Sequence, residues 1–295
     1  MSRSWTSVAM CGVGFTMMAI LSSAQAPTGP AQPQGAPADR AAQAPAGPAG
    51  QGMPPGGRGP ATPLSVDQLS CVELSAAVRT AVANDIRLRD WAQLNRYREA
   101  NRTVTKADAV FMGDSITDFW PQPRFGEFFP GKNYVGRGIS AQTTPQMLIR
   151  MRPDVIALKP KAVVILAGTN DIAGNTGPMT DEEIEGNLAS MAEVAMANNV
   201  KVIFTSVLPV SNYHVTPNGV PQTTQRPLAR IQAINNWMKK YAAEHKQFYV
   251  DYYSAMIDAQ GMLRTELSND DLHPNKAGYD IMAAIVEQTI ARAIR

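Results

Sequence analysis

The chain has 295 residues, of which 44% are hydrophobic and 18% are charged, and this composition excludes a protein that is disordered throughout. Its 27 lysines and arginines nearly balance 25 aspartates and glutamates, and the formal excess of +2 arises entirely before residue 64. Residues 64–295 are therefore formally neutral, which removes any charge-based support for nucleic-acid binding.

The N-terminus has the pattern of a secretory signal peptide. Arg3 supplies a positive charge, and an uncharged apolar run follows over residues 8–21. This run is shorter than the roughly 20 residues needed to span a bilayer. The small residues that follow it favour cleavage after Ala24. The sequence therefore predicts a signal peptide over residues 1–24, export to the periplasm or the exterior, and no transmembrane segment in the mature chain.

Residues 25–63 predict a disordered linker. Ten of the 22 prolines and eight of the 22 glycines lie within residues 27–63, which contain no aromatic residue, valine or isoleucine. Such a segment cannot bury enough apolar area to offset the conformational entropy lost on ordering. We therefore expect one folded domain over residues 64–295, a usual size for a single domain.

The folded part begins with helical periodicity, which predicts one or two N-terminal helices within residues 64–106 and extends through Trp91 and Leu94. Short apolar runs that end in small polar residues then predict buried strands at 109–112, 162–167, 200–207 and 248–250, with a further strand at 133–135. Helical spacing between and after them predicts helices at 143–156, 181–197, 227–244 and 274–294. Strands that alternate with helices predict an α/β fold with a parallel sheet covered by helices on both faces.

Polar blocks follow these strands, at the sheet edge where parallel α/β proteins gather reactive groups. They are Gly113-Asp114-Ser115, Gly136-Arg137-Gly138-Ile139-Ser140-Ala141, Gly168-Thr169-Asn170-Asp171 and, before the last helix, Asp270-Asp271-Leu272-His273-Pro274. Hydrolysis of an ester through a covalent intermediate needs a nucleophile, a base, a group that orients the base, and donors to the oxyanion. The four blocks contain side chains suited to each of these tasks.

Individual residues match these tasks by position. Ser115 lies where a strand turns into a helix, which exposes its hydroxyl group. Asp270 precedes His273 by three residues, a spacing at which a carboxylate reaches Nδ1 of the imidazole. Asn170, at the tip of a buried strand, offers a side-chain amide at the same sheet edge. Asp114 is positioned to cap the helix that follows the serine.

The four blocks, in this order, resemble those of the SGNH (GDSL) hydrolases from about Asp108 to the C-terminus. The resemblance implies a three-layer flavodoxin-like fold with Ser115 as nucleophile, Asp270 and His273 as its triad partners, and Asn170 as an oxyanion donor. It also implies a site without a large lid that handles acetyl or other short acyl esters. Relatives in this family are described as lysophospholipase-like, thioesterase-like or platelet-activating-factor-acetylhydrolase-like.

The second block departs from the family pattern, because Gly136 and Ala141 stand where asparagine and glycine are usual. Alanine carries the same backbone N–H as glycine. We therefore expect Ala141 to donate to the oxyanion together with the N–H of Ser115, provided that φ of Ala141 is negative. Gly138 is the alternative donor.

The remaining polar and aromatic residues of interest are assigned no catalytic task. No metal is expected, because neither His214 nor His245 has ligand spacing with cysteine, aspartate or glutamate, and no cofactor is expected either. Phe119, Trp120 and Tyr213 are candidates either for an acyl or sugar pocket or for the core. The long connection over residues 208–226 suggests a loop that faces the substrate.

The sequence thus predicts an exported serine esterase that cleaves short-acyl esters of carbohydrates or lipids, its partner being a small-molecule or glycan ester. Three alternatives remain at this level: a lysophospholipase or thioesterase for longer acyl chains, an O-acyltransferase that uses the same residues, and a binding protein without turnover. The oligomeric state is not indicated.

Overall fold

The computed structural model describes residues 89–214 and 219–295, together with Ser75 and Val78. All of these residues belong to the unit Pro63–Arg295. The predicted signal peptide and linker lie outside the described residues, as does most of the predicted helical region before residue 89. Within the described part, no helix combines the length and apolar character needed to cross a membrane.

Five short strands form one parallel sheet in the order β2-β1-β3-β4-β5. The strands are β1 (Ala109–Gly113), β2 (Tyr134–Gly138), β3 (Ala162–Leu166), β4 (Lys201–Thr205) and β5 (Phe248–Val250). Every residue of β1 and β3 is buried. Because central parallel strands are covered on both faces, their sequences are uninterrupted apolar runs rather than alternating patterns.

Helices cover both faces of the sheet, which confirms the predicted three-layer α/β fold. They are α1 (Arg98–Thr103), α2 (Ser115–Phe119), α3 (Thr144–Asp154), α4 (Thr169–Ile172), α5 (Asp181–Ala197), α6 (Gln222–Gln225), α7 (Leu228–Glu244), α8 (Tyr252–Met256) and α9 (Lys276–Ala293). Short 3₁₀ helices lie at Pro123–Phe125, Ile156–Leu158 and Thr265–Leu267. Alternate β1 residues divide between two cores: Val110 packs in a cluster with α3, α5 and α7, whereas Phe111 packs in one with α2 and α9.

Strand β2 continues three residues beyond the predicted end at residue 135. The sequence placed Gly138 after the strand, but Gly138 is the last strand residue and allows a close backbone approach. A Cβ atom at Gly138 would lie 2.2 Å from the backbone nitrogen of Asp118, so only glycine lets α2 pack directly against this strand.

The predicted helical pattern through Trp91 and Leu94 is wrong for this stretch, where the chain forms turns. The carboxylate of Asp90 accepts hydrogen bonds from the backbone N–H groups of Leu94 and Asn95 at 2.8 and 2.9 Å. Such side-chain bonds compete with helix formation. Gln93 adopts a positive φ of 54°, and helix α1 begins only at Arg98.

Candidate active site

Ser115, His273 and Asp270 form one chain of hydrogen bonds at the carboxyl edge of the sheet. Ser115 follows β1, whereas the other two residues lie in the segment that precedes α9. The Oγ atom of Ser115 is 2.9 Å from Nε2 of His273, and Nδ1 of the same ring is 2.7 Å from Oδ2 of Asp270. This arrangement can transfer the serine proton to the imidazole.

The carboxylate of Asp270 is held ionised by its own loop. Partial burial opposes the charge, but the hydrogen bonds from the His273 ring and from the backbone N–H groups of His273 and Leu272 outweigh it, so the pKa of Asp270 lies well below its usual range. Those two backbone bonds measure 2.7 and 3.1 Å. With Asp270 ionised, Nδ1 of His273 donates to it, and the lone pair on Nε2 faces Ser115.

The serine begins a helix that packs directly on the sheet. Asp114 is the N-cap of α2, and its side chain accepts a hydrogen bond from the N–H of Ile116 at 2.9 Å, as the sequence indicated. A Cβ atom at Gly113 would lie 2.1 Å from Oγ1 of Thr117. Because glycine alone fits there, the chain turns sharply from strand into helix and presents Ser115 at the sheet edge.

Two of the predicted oxyanion donors, Ala141 after β2 and Asn170 in α4, lie in segments that are joined by hydrogen bonds. The Nδ2 atom of Asn170 donates to the carbonyl oxygen of Gln142 at 3.0 Å, and Nδ2 of Asn175 donates to that of Ala141 at 3.2 Å. Among the described residues, neither the N–H of Ser115 nor that of Ala141 has a hydrogen-bond acceptor. Both groups, and the second N–H of the Asn170 amide, are therefore available to a ligand.

Ala141 has φ of +65°, so the condition of a negative φ is not met. The residue keeps its N–H but occupies the left-handed region, which is strained for alanine and free of strain for glycine. This conformation gives a physical reason for the glycine that the family usually has at this position. Gly138, the alternative donor, is the last residue of β2 and is buried against α2.

Replacing Ala141 by glycine is expected to keep activity within a few-fold and to leave the fold as stable or slightly more stable. Relief of the left-handed conformation contributes about 1–2 kcal/mol, and the extra freedom of glycine in the unfolded chain removes about 0.4–1 kcal/mol. Urea unfolding and ester hydrolysis of the two proteins check this expectation. A clear loss of stability in the glycine variant would show that Ala141 is unstrained.

Asp114 is a buried carboxylate that directly precedes Ser115. It is 1% exposed, and its Oδ2 atom has no hydrogen-bond partner among the described residues. Burial raises the pKa of Asp114 to about 6, against the lowering effects of the Ile116 N–H and of nearby His273. Deprotonation of this group in the folded state therefore opposes folding.

Asp114→Asn is expected to stabilise the folded state relative to the wild type, and by more as the pH rises. The folded pKa of about 6 lies above the value near 3.9 of an unfolded chain, so between these values the folded state binds more protons and loses stability as pH increases. Asp114→Asn keeps a capping oxygen and lacks the titration. Relative to the wild type, its free energy of unfolding should gain roughly 2 kcal/mol between about pH 4 and pH 7. Urea unfolding across this range tests the difference, which a pH-independent offset would contradict.

Arg226 is a buried cation beside the site. The sequence analysis did not identify it. It is 5% exposed; its Nε donates to Oγ1 of Thr169 at 3.1 Å and its Nη1 to Oε1 of Gln222 at 2.6 Å. Burial lowers the pKa of Arg226, whereas the charges of Asp114 and Asp270 raise it. A lone arginine in a polar loop gives no sequence signal for this placement.

A surface cavity of about 220 Å³ borders the aspartate and histidine. Its lining includes Phe119, Arg124 and Asn269, and the ring of Phe119 lies 5.1 Å from that of His273. Of the other aromatic candidates, Trp120 is buried in the core and Tyr213 is exposed on the loop after β4.

In the described part of the chain, no three histidine, cysteine, aspartate or glutamate side chains come together as they would around a metal ion.

Residues 111–281, more than half of the chain, match the family model described as GDSL-like lipase/acylhydrolase. The chain belongs to this family. The resemblance seen in the sequence is thereby confirmed, and the protein is a carboxylic ester hydrolase.

Individual known proteins resemble the chain over most of their own length. An acetylxylan esterase from Geobacillus stearothermophilus is 27% identical over 205 residues, which make up 59% of this chain and 89% of that protein. A GDSL-like lipase from Bacteroides thetaiotaomicron is 40% identical, with a TM-score of 0.63 over 69% of this chain and 99% of the other. A solved structure from Bacteroides fragilis is 39% identical, with a TM-score of 0.63 over 70% and 99%.

Proposed function

We propose that this GDSL-family hydrolase works through an acyl-enzyme with Ser115 as nucleophile, His273 as general base and Asp270 as the group that orients the imidazole. The observation that carries this proposal is the hydrogen-bonded chain from Ser115 through His273 to Asp270. The N–H groups of Ser115 and Ala141 and the amide of Asn170 stabilise the oxyanion.

The reaction proceeds in two steps, acylation of Ser115 and hydrolysis of the acyl-enzyme. The Oγ atom of Ser115 bonds to the ester carbonyl carbon while Nε2 of His273 takes its proton. Collapse of the tetrahedral intermediate breaks the bond to the alcohol oxygen, which leaves with the proton from the imidazole. Water then adds to the acyl-enzyme, gives a proton to His273, and releases the acid as Ser115 recovers its hydrogen.

We infer that the preferred substrates are short-acyl, acetyl-type esters of carbohydrates. The side chains of His273 and Asp270 are 25% and 53% exposed, so the site is open to a bulky alcohol. The adjoining cavity combines the aromatic Phe119 with the polar Arg124 and Asn269, a lining better suited to a sugar than to a long acyl chain. The acetylxylan esterase relative supports the same substrate class.

Hydrolysis of three substrate sets tests this choice: nitrophenyl esters of increasing acyl length, acetylated xylan, and a lysophospholipid. Release of free acetate from acetylated xylan, with Ser115→Ala as the blank, is the expected result. A preference for acyl chains of more than about eight carbons would overturn it in favour of a lysophospholipase or thioesterase. Transfer of acetyl to an added sugar in place of free acetate would identify an O-acyltransferase.

We further propose that residues 1–24 direct export and that residues 25–63 are a flexible spacer before the hydrolase domain of residues 64–295. The charged start and the short apolar run support cleavage after Ala24. Expression of the full chain in a Gram-negative host, followed by fractionation and N-terminal sequencing, tests the proposal. A periplasmic protein that begins at Gln25 is expected, and an intact N-terminus in the cytoplasm would contradict it.

A further inference from the structure

Asp271 follows the proposed catalytic aspartate, but its carboxylate belongs to a different network. It is fully buried, and its side chain accepts four hydrogen bonds from the loop after β4. The donors are Oγ of Ser211 at 2.5 Å, the N–H of Tyr213 at 3.1 Å, and the N–H and Nδ1 of His214 at 2.7 and 2.9 Å. Its carbonyl oxygen also accepts the N–H of Ser211 at 3.1 Å.

The backbone of Asp271 has φ of +67°, in the left-handed region. The turn at this residue lies within the short segment in which the Asp270 carboxylate bonds the N–H groups of Leu272 and His273. Aspartate tolerates this conformation better than most residues do, and local strain persists where surrounding contacts over-determine it. The bonds to the Asp271 carboxylate are contacts of that kind.

The two loops joined by Asp271 differ in how they are attached to the sheet. We call residues 268–274 the Asp–His loop and residues 206–214 the β4 loop. The β4 loop directly continues a sheet strand and is buried through Ser211, with the N–H of Ser206 bonded to the carbonyl oxygen of Val250 at 2.9 Å. The Asp–His loop lies outside the sheet. Ser115, its reaction partner, is fixed at the end of β1.

We propose that Asp271 is a positioning residue that fixes His273 relative to Ser115 by anchoring the Asp–His loop to the β4 loop. The inference rests on the proposed function, because it assigns a task to Asp271 only if His273 is the base. A displacement of about 1 Å in a reacting group can cost on the order of 10²-fold in rate. Loss of the anchor therefore lowers kcat, while KM changes much less.

Four variants measured together test the anchor. Asp271→Ala should lower kcat by on the order of 10- to 100-fold with KM within about threefold of wild type. Asp271→Asn keeps one accepting oxygen and tolerates the left-handed backbone, so it should recover part of the loss. Ser211→Ala removes one of the carboxylate's hydrogen bonds and should lower kcat by roughly three- to tenfold in a protein that remains folded, with Tm lower by several degrees.

Asn212→Ala is the matched control on the same loop. Asn212 exchanges hydrogen bonds of 2.6 and 3.1 Å with Thr223 and makes none with Asp271, so its loss should leave kcat within about twofold. An equal loss of kcat in Asn212→Ala and Ser211→Ala would mean that general loosening of the β4 loop causes the loss. That result would overturn the proposed anchoring role of Asp271.

The outcome can be decided even if Asp271→Ala does not fold. Circular dichroism and Tm identify that case, and Ser211→Ala then decides: lower kcat supports the anchor, and unchanged kcat overturns it. A folded Asp271→Ala enzyme with wild-type kcat also overturns it. Ser115→Ala in the same assay separates the two proposals, because activity retained there contradicts the catalytic mechanism itself rather than the anchor.

Discussion

Alanine at Ser115 or at His273 is expected to lower kcat by on the order of 10⁴-fold or more, and the double variant is expected to be hardly worse than either single one. The reason is that, in the proposed mechanism, the two side chains share one proton transfer across the 2.9 Å contact between the serine Oγ and the imidazole Nε2. Once either partner is lost, the other has no remaining task in forming the acyl-enzyme. Rates with nitrophenyl acetate for the two single variants and the double variant check this non-additivity.

Losses that add in free energy across these variants would contradict the shared mechanism and indicate that the serine and the histidine act separately. The control for folding is the Tm of each protein. Because Ser115 lies at the N-terminus of α2 and its cap is supplied by Asp114, removal of the hydroxyl should leave the helix intact.

The strands and the main helices could be predicted from the sequence because their signals are local. Buried runs such as Ala109–Gly113 and Ala162–Leu166 carry their pattern within five residues, and α5 and α7 extend over several helical turns. The order and spacing of Ser115, Asn170, Asp270 and His273 indicated the candidate site, because parallel strands bring their carboxyl ends to one edge.

Features that depend on tertiary contacts could not be predicted in the same way. The positive φ of Ala141 reflects how its loop is bonded to Asn170 and Asn175, and alanine carries no local signal for it. Gly138 was placed beyond the end of its strand, although it is the last strand residue and its missing side chain lets α2 pack closely. The turns around Asp90 arise from side-chain bonds that compete with helical spacing.

The anchoring role inferred for Asp271 also lies beyond sequence periodicity. Asp270 and Asp271 are adjacent and chemically identical, and spacing to His273 distinguished only the first of them. The structure separates them by burial and partner: Asp271 is fully buried and bonded to the β4 loop, whereas Asp270 faces the imidazole. Arg226 was missed for the same reason, since its burial beside Thr169 depends on a contact across 57 residues of chain.

Alanine at Asn170 is expected to lower kcat by on the order of 10²- to 10³-fold with little change in KM, because an oxyanion donor acts mainly in the transition state. Asn170 is a better position for this test than the proposed backbone donors at Ser115 and Ala141. Proline at position 141 would delete an N–H, but proline requires φ near −65°, whereas Ala141 lies at +65°. Asn170→Ala removes a side-chain amide without such a backbone conflict.

Asn170 also bonds the carbonyl oxygen of Gln142, so a structural loss must be separated from a catalytic one. Asn187→Ala is the matched control: its amide donates to Oγ1 of Thr144 at 3.1 Å, and α5, which carries it, packs on the face of the sheet opposite α2, so its loss should leave kcat within about twofold. If kcat and kcat/KM of Asn170→Ala fall together while its Tm stays near that of Asn187→Ala, the amide acts on the developing oxyanion. A rise in KM at unchanged kcat would instead place Asn170 in substrate binding and leave the oxyanion to the backbone N–H groups of Ser115 and Ala141.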